Sequence, residues 1–403
     1  MGYRYAVLGA GRQGTAAGYD LGRYGEADDL VIADVKRAQA LRSAARINRL
    51  IGRRLARGVS TDVLKGRLLA ATLDGVDVLV SAVPYVLNLR IARQAIDSKV
   101  SMVDLGGNTA IVKEQLRLDK AAREAGIAIV PDCGMGPGLN ITLGVHAMGL
   151  LDIPRDVYIY DGGLPQAPEP PWDYALTFNV AGLTNEYAGA ATFLREGRIV
   201  EVPALTEIEE VQVPPLGRLE AAVTTGGLST APWSFLGVLR TLQNKTLRYP
   251  GHWARMQAFR DLGLFRLDSI RVDGRPVVPR HVFHALFEPQ VAARAHDVCV
   301  ERIRAYGTKD DRPAEVSVDL VDWYDDSTGF TAMERLTGWH ASIAAEMIAR
   351  GQVERGAHPV ELGLPAKPFV GEVRRRGIAI DERISFLDDQ EGPGRGPEPL
   401  VVA

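Results

Sequence analysis

The chain has 403 residues, 46% of them hydrophobic and 24% charged, which is typical of a soluble globular protein of two or three domains. Its formal net charge of -3 excludes a strongly basic nucleic-acid binder, and its two cysteines cannot form a disulfide framework. No apolar run approaches the ~20 residues of a membrane span and no signal-peptide pattern precedes the first strand-like run, so we expect a cytoplasmic protein.

The first third of the chain alternates short apolar runs with longer segments of helical composition. The runs are rich in Val and Ile and bounded by turn residues, as buried strands of a parallel sheet are. They lie at 3–8, 30–33, 76–81, 100–103 and 127–130. The helical segments between them include 38–51 and 87–98. This alternation predicts a doubly wound parallel α/β domain of the Rossmann type over residues 1–131.

A glycine-rich turn follows the first predicted strand and opens a predicted helix. In a dinucleotide-binding domain the first glycine allows the tight turn, the second lets the backbone approach a pyrophosphate, and the third lets helix and strand pack closely. The free amides of the helix N-terminus then bind the anion. We predict cofactor binding by this turn, which comprises Gly9, Ala10, Gly11, Arg12, Gln13 and Gly14.

Asp34 ends the second predicted strand, 20 residues after Gly14, where a carboxylate hydrogen-bonds the ribose hydroxyls of adenosine. Because this carboxylate would repel a 2′-phosphate, NAD is the predicted cofactor. NADP is the alternative, since Lys36 and Arg37 follow directly. The cofactor crevice is also predicted to be lined by the small residues that follow the third strand, Ala82, Val83 and Pro84.

The pattern changes after Pro131, where Gly and Pro become frequent. Between 157 and 321 the apolar runs indicate antiparallel strands mixed with short helices, and we predict an α+β domain over 132–328. A helix is predicted over 329–351, because its apolar residues recur at helical spacing and Gly351 fits a C-terminal cap. Residues 388–403 are rich in Gly, Pro and acidic residues, which predicts a disordered tail.

Several further segments occur in an order that is found in one enzyme family. They lie at 103–107, 131–138, 162–165, 169–171, 219–221, 225–230 and 245–252. By these segments and the glycine-rich turn, residues 3–349 resemble the saccharopine dehydrogenase-like oxidoreductases, and most of all the bacterial L-lysine 6-dehydrogenases among them. The resemblance implies a Rossmann domain with an inserted α+β domain, a helical segment over 329–370 that returns to the first domain, and a homodimer formed through the second domain.

The resemblance also implies a nicotinamide cofactor and chemistry at a carbon that bears nitrogen. For the L-lysine 6-dehydrogenases this is oxidative deamination of the lysine ε-amino group to the semialdehyde, with release of ammonia. A first alternative is a reductase that joins an amine to a carbonyl, as saccharopine reductases and carboxynorspermidine-type enzymes do. It would need a larger pocket with a second carboxylate anchor. A second alternative is a non-catalytic NAD-binding protein.

Amine oxidation needs an anchor for the substrate carboxylate and an acid or base. The planar guanidinium of Arg248 suits a carboxylate, with a structural salt bridge as the alternative. Asp104 and Asp132 each follow a strand at the crevice edge, where either could be a general base or a turn cap. Lys245 and His252 are further acid–base candidates, against ordinary structural roles. The pocket is predicted to be lined by Tyr85, Asn108, Tyr174 and Thr225.

Two other features have simple interpretations. His281 and His284 lie three residues apart, but no ligand set accompanies them at metal-binding spacing, so no metal site is predicted. Ten of the residues from Lys36 to Arg67 are basic, which indicates a solvated helix face. An anionic partner such as RNA is the alternative, but aromatic residues that could stack bases are missing there and no nucleic acid is expected.

Overall fold

A computed structural model describes residues 2–292 and 296–387 of the chain. The predicted disordered tail at 388–403 lies outside the described residues. In the described ranges the strands are β1 (Tyr3–Leu8), β2 (Ala27–Asp34), β3 (Ala56–Ser60), β4 (Val78–Ser81), β5 (Ser101–Asp104), β6 (Ala128–Val130), β7 (Ile153–Pro165), β8 (Ala190–Arg195), β9 (Arg198–Pro203), β10 (Glu209–Val213), β11 (Gly217–Val223), β12 (Thr241–Arg248), β13 (Ile270–Val272), β14 (Arg275–Val277), β15 (Asp297–Lys309), β16 (Arg312–Trp323), β17 (Gly356–Ala357) and β18 (Asp381–Phe386).

Helices connect and cover these strands. They are α1 (Arg12–Tyr24), α2 (Arg37–Ile51), α3 (Gly66–Leu73), α4 (Asn88–Ser98), α5 (Thr109–Leu116), α6 (Asp119–Ala125), α7 (Leu139–Met148), α8 (Val180–Glu186), α9 (Ala231–Ser234), α10 (His252–Asp261), α11 (Pro279–Val291), α12 (Ala332–Ala349), α13 (Val360–Gly363) and α14 (Ala366–Arg375).

The first sheet is parallel and has the strand order β17-β6-β5-β4-β1-β2-β3. The strands from β1 to β6 alternate with helices along the chain, and the residues of β4, β5 and β6 are all buried. Burial of every residue in a strand requires cover on both faces of the sheet, which explains the continuous apolar runs in the sequence. The predicted Rossmann fold with a second α+β domain is confirmed.

The second sheet is mixed. Its main strand order is β10-β11-β12-β7-β15-β16-β18, with β8 joined to β12 and β9. Most neighbouring strands are antiparallel, as predicted, but β12 runs parallel to β7. This parallel pair aligns Thr246 with Asp161, and the antiparallel pair of β15 and β7 aligns Glu301 with Asp161. Three polar side chains therefore form a row across the middle of the sheet.

Helix α12 returns the chain to the first domain. It packs along α1, and Gly338 permits the close approach, since a Cβ there would lie 2.8 Å from the Cβ of Ala16. A capping box formed by Thr331 and Glu334 begins the helix. β17 then adds a strand beside β6, and β18 returns to the second sheet beside β16. The domain boundaries at 131, 328 and 370 stay predictions.

Candidate active site

A cavity of about 560 Å³ lies at the carboxyl edge of the first sheet, between this edge and the second sheet. Its walls combine residues from the two sheets and from the helices that join them. The glycine-rich turn contributes Arg12 and Gln13, the segment after β4 contributes residues 82–85, and the long strand β7 contributes Asp161. Helix α12 contributes Met333 and Thr337. The cavity therefore brings the predicted cofactor turn and the second domain into one site.

The glycine-rich turn has the backbone that a bound pyrophosphate requires. Gly9 has a φ of +100°, and a Cβ on Gly14 would lie 1.9 Å from the carbonyl oxygen of Gly9. These two glycines are required by the turn and by the packing of α1. A Cβ on Gly11 would instead meet no atom within 4 Å. The space beside Gly11, at the N-terminus of α1, fits an anionic group.

Asp34 lies at the end of β2 beside this turn. Its carboxylate accepts hydrogen bonds from the backbone amides of Ala10, at 3.0 Å, and Lys36, at 2.8 Å. It is half-buried, whereas Lys36 and Arg37 are exposed. These residues fit the adenosine end of a dinucleotide. Val83 and Pro84 join Ala82 in the cavity wall, as predicted for the crevice.

Arg248 is a buried cation in the cavity wall, in the last position of β12. It is 3% exposed, and its Nη1 donates to the carbonyl oxygen of Leu247 at 2.8 Å. The guanidinium lies 5.3 Å from the ring centre of Tyr174 and 5.7 Å from that of Trp253. Among the described residues no carboxylate lies within 4.0 Å of it, and its Nε has no hydrogen-bond partner. The structure thus lacks the salt bridge that was the alternative, and Arg248 presents an anion site.

Asp161 is a cavity residue that sequence reasoning missed. Its carboxylate accepts hydrogen bonds from Nδ2 of Asn140 and Nδ2 of Asn244, each at 3.1 Å, and from Oγ1 of Thr246 at 3.3 Å. Burial raises the pKa of Asp161, while these donors and the charge of Arg248 oppose the rise. A signal was available, because the two glycines that follow it, inside a long strand, indicate close approach of a ligand or backbone.

Glu186 is a second carboxylate that sequence reasoning missed. It ends α8 and lines the cavity, and its side chain is half-buried. Burial raises its pKa to about 8, against the opposing charge of Arg248, and the Asp161 carboxylate adds to the rise. A carboxyl group with this pKa changes its protonation state in the mildly alkaline range, as a general base for amine chemistry must.

Asp104 and Asp132 lie behind the cavity wall rather than in it. Both oxygens of Asp104 accept hydrogen bonds, from the amide of Gly106 at 2.8 Å and from Nε2 of Gln115 at 2.7 Å. Asp132 has a φ of +64° and accepts a short hydrogen bond from Ser229. Its other oxygen lies against Gly106, which lines the cavity. The structure therefore gives Asp104 the turn-capping arrangement, and it does not place either carboxylate at the substrate space.

Lys245 and His252 also lie away from the cavity. Lys245 is on the face of β12 opposite to the cavity, where Nζ lies 2.9 Å from Oε1 of Glu209. His252 is buried, and its Nε2 is 2.9 Å from the hydroxyl of Tyr187. Burial, with help from the charge of Arg248, lowers the pKa of His252 well below its usual value. In this arrangement Lys245 is part of an ion pair and His252 is a neutral core residue.

The four predicted pocket residues are divided between the cavity and its surroundings. Tyr85 and Thr225 line the cavity. Asn108 instead caps α5, where its side chain accepts a hydrogen bond from the amide of Ile111 at 3.1 Å. Tyr174 lies behind the cavity wall, where its ring packs against Arg248. Tyr174 thus supports the anion site without lining the cavity.

The glycine-rich turn, Asp34 and the cavity beside them define an NAD(P)-binding protein with a Rossmann domain. Sequence comparison confirms this class. Residues 5–130 match the saccharopine dehydrogenase NADP binding domain, and residues 134–378 match the saccharopine dehydrogenase C-terminal domain. The chain belongs to the saccharopine dehydrogenase family, as the resemblance in the sequence predicted. Closeness to the L-lysine 6-dehydrogenases, the homodimer and the cytoplasmic location stay predictions.

Curated relatives match parts of the chain. The mitochondrial alpha-aminoadipic semialdehyde synthase of Rattus norvegicus is 30% identical over 226 residues, which are 52% of this chain and 24% of that protein. The saccharopine dehydrogenase [NADP(+), L-glutamate-forming] of Saccharomyces cerevisiae is 23% identical over 257 residues, which are 60% of this chain and 56% of that protein. The alignment with the rat protein thus spans about a quarter of its length.

Solved structures share the fold. The apo saccharopine dehydrogenase (L-Glu forming) from S. cerevisiae superposes with a TM-score of 0.77 at 17% identity and covers 95% of this chain and 100% of that one. A homospermidine synthase from Legionella pneumophila in complex with NAD has a TM-score of 0.62 at 12% identity and covers 98% of this chain and 93% of that one. At these identities the likeness concerns the fold.

No helix within 2–292 and 296–387 is long and apolar enough to cross a membrane. In the same ranges, no group of three or more His, Cys, Asp or Glu side chains could hold a metal ion.

Proposed function

We propose that this protein is an NAD-dependent dehydrogenase that oxidises the ε-amino group of lysine to the semialdehyde with release of ammonia. The observation that carries the proposal is the cavity, which joins the cofactor turn to a buried arginine and to two carboxylates. The arginine, Arg248, has no carboxylate partner among the described residues. An amino acid with an α-carboxylate and a distant amine supplies charges that complement this arrangement.

Arg248 binds the substrate α-carboxylate through its planar guanidinium. This contact fixes one end of the substrate and directs the other toward the cofactor turn, so that binding energy is spent on orientation. The dinucleotide, held by the glycine-rich turn and Asp34, supplies the hydride acceptor when it is bound. Lysine thus spans the cavity between the two domains.

The two cavity carboxylates have different tasks in this proposal. When a C–H bond of the amine carbon breaks and its electron pair leaves as hydride, the substrate becomes an iminium cation, which the negative charge of Asp161 stabilises. Glu186 then accepts a proton from the water that attacks the iminium carbon. Glu186 returns this proton to the nitrogen of the resulting carbinolamine. The C–N bond then breaks with its electron pair on nitrogen, so that ammonia leaves, and the hydroxyl group loses its proton to water as the C=O bond of the semialdehyde forms.

A reductive condensation of an amine with a carbonyl is the second candidate. It needs a second cation for the carboxylate of the second substrate. Among the described residues that line the cavity, the other arginine is Arg12, whose Nε lies 2.9 Å from Oε1 of Glu334. Because Arg12 is already paired, the cavity offers one unpaired anchor, which favours a substrate with one carboxylate.

The test is a screen for formation of reduced cofactor at mildly alkaline pH. NAD or NADP is mixed with the protein and with L-lysine, L-ornithine, cadaverine, L-arginine or saccharopine. We expect turnover of L-lysine with NAD, and ammonia in equal amount to NADH. Turnover of saccharopine instead supports the second candidate. If no amine produces reduced cofactor, but calorimetry shows that NAD binds, the result supports a non-catalytic NAD-binding protein.

A further inference from the structure

Glu301 is a buried acid whose side chain has no hydrogen-bond partner. It lies on β15 and is 0% exposed, and neither of its carboxyl oxygens has a hydrogen-bond partner among the described residues. An ionised carboxylate without donors is very costly to bury, and such a group keeps its proton instead. The absence of donors therefore indicates that Glu301 is a neutral carboxylic acid.

The cross-strand neighbour of Glu301 is Asp161, in the cavity wall. The two residues are directly opposite each other in the antiparallel pair of β15 and β7. In such a pair the Cβ atoms are about 4.5–5.5 Å apart. Asp161 has hydrogen-bond donors from Asn140, Asn244 and Thr246, whereas Glu301 has none within the described ranges. The donors stabilise the anion on Asp161 and leave the proton on Glu301.

The one positive charge that acts on Asp161 favours the same assignment, and the neighbouring thiol and imidazole are neutral. On β12 and α8, the charged groups that act on Asp161 are Arg248 and Glu186, and the arginine favours its ionised form. On β15, burial raises the pKa of the Cys299 thiol well above its usual value, so this group is neutral. On α12, which packs against β15, burial lowers the pKa of His340 to about 3, so this ring is uncharged.

We propose that Glu301 is a positioning residue that retains a proton and thereby keeps a single negative charge, on Asp161, at the cavity wall. Two neighbouring carboxylates cannot both ionise without strong repulsion, so the neutral state of one permits the charge of the other. In the amine oxidation proposed above, on which this role rests, the charge on Asp161 faces the iminium cation. Glu301 itself does not line the cavity.

Infrared difference spectroscopy of the full chain tests the protonation state directly. We expect the spectrum of Glu301→Gln minus that of the original protein to show, at neutral pH, the loss of a protonated carboxyl C=O band. The matched control is Glu315→Gln on β16, whose carboxylate pairs with Arg304 and faces the other side of the sheet. This variant is expected to lose carboxylate bands only. Loss of a carboxylate band in Glu301→Gln would overturn the proposal.

The variant Asp161→Asn tests the coupling without altering Glu301. Removal of the neighbouring negative charge should make Glu301 easier to ionise, so its C=O band should disappear at a lower pH than in the original protein. A band that persists in Asp161→Asn to the same pH as in the original protein contradicts the coupling. Because Asp161→Asn retains Glu301, this titration tests the proposal even if Glu301→Gln fails to fold.

Activity provides a separate readout. Because an amide imitates a neutral acid, Glu301→Gln should retain kcat/KM for the amine within about threefold and an unchanged acid limb of its pH profile. A displaced acid limb would mean that Glu301 carries charge in the working enzyme. The infrared experiments need no turnover, so failure of the proposed reaction and failure of the carboxyl pair are distinguishable.

Discussion

Arg248 is held by aromatic rings and a backbone carbonyl, and this leaves its charge available to a ligand. The faces of Tyr174 and Trp253 support the guanidinium from behind. A lysine at this position would retain the positive charge but lose the planar fork that matches a carboxylate in two hydrogen bonds. The contribution of this geometry can therefore be measured separately from that of the charge.

We predict that Arg248→Lys raises KM for lysine by about tenfold or more and changes kcat much less, since the carboxylate contact is equally present in substrate and transition state. Steady-state kinetics at saturating NAD measures both constants. The matched control is Arg218→Lys on the neighbouring strand β11, where the exposed side chain pairs with Glu210. An unchanged KM in Arg248→Lys would remove the carboxylate anchor from the mechanism.

The raised pKa of Glu186 predicts how kcat depends on pH. Its pKa of about 8 means that the base form increases tenfold per pH unit below that value, so kcat should rise with pH and level off above about 8. Glu186→Gln should lower kcat by about a hundredfold and abolish this rise. Glu288→Gln, at an exposed position of α11, is the control. A pH profile of Glu186→Gln that keeps the original rise would assign the base to another group.

The sequence predicts part of this site for physical reasons. Arg248 is predictable because a specific motif surrounds it, and the glycine-rich turn because each glycine has a local conformational task. The two glycines after Asp161 indicate a close approach there, but a local pattern predicts neither the role of Asp161 nor that of Glu186. The role of Asp161 depends on the parallel pairing of β12 with β7, two strands far apart in the chain. The role of Glu186 depends on where α8 ends relative to the cavity.

Among the structural elements, the turn between β1 and α1 contains glycines with two different roles, one in folding and one in ligand binding. A Cβ on Gly14 would overlap the carbonyl oxygen of Gly9, at 1.9 Å, whereas a Cβ on Gly11 would enter open space. Gly14 is therefore required by the fold. Gly11 is required only by a ligand that approaches the backbone.

We predict that Gly11→Ala keeps the melting temperature within about 2 °C but weakens NAD binding by about tenfold or more, because the added methyl occupies the space of the pyrophosphate. The matched variant Gly14→Ala should instead lower the melting temperature by about 5 °C or more, through the steric overlap. Calorimetry measures both quantities. Unchanged NAD affinity in Gly11→Ala would place the pyrophosphate elsewhere.

The sequence predicts some helices and strands of the structure and not others. The run at 3–8 coincides with β1, whose last four residues are apolar and buried in the middle of the sheet. β3 was missed, since it is an edge strand within the basic stretch and Val59 is the one large apolar residue among Ala56–Ser60. The predicted helix at 329–351 corresponds to α12, but its close packing on α1 depends on Gly338, which the helical period alone does not distinguish.

At the scale of the molecule, one loop of the second domain is held by acids that flank it. Ser229 donates to Asp132, two residues after β6, and Thr230 donates to Glu361 in α13 at 2.9 Å. The same loop carries Thr225 into the cavity. Both acids are buried, and burial raises the pKa of Asp132 to about 8. We therefore expect the hydrogen bond between Ser229 and Asp132 to depend on pH.

We predict that Asp132→Asn becomes more stable relative to the original protein as pH rises from about 4 to about 8. Folding raises the pKa of Asp132 from 3.8 to about 8. The original protein therefore has its full stability below about pH 4, where this carboxyl is protonated in both the folded and the unfolded state, and it loses stability as pH rises to about 8, because the unfolded chain ionises more readily. The relative gain is about 1.4 kcal/mol per pH unit at most. Urea unfolding at a series of pH values measures it. Asp261→Asn, at the exposed end of α10, is the control, and a parallel response of both variants would contradict the assignment.

The late return of α12 and β17 to the first sheet has a consequence for protein synthesis. A ribosome completes β1 to β6 long before it adds the helix that covers α1 and the strand that borders β6. Domains generally fold in the order of translation, but this one must wait for residues made after every strand of the second sheet except β18. The cofactor turn stays uncovered on its α12 side during that interval. Ability to bind the dinucleotide should therefore arise late on the ribosome, once Gly338 has emerged and packed against α1.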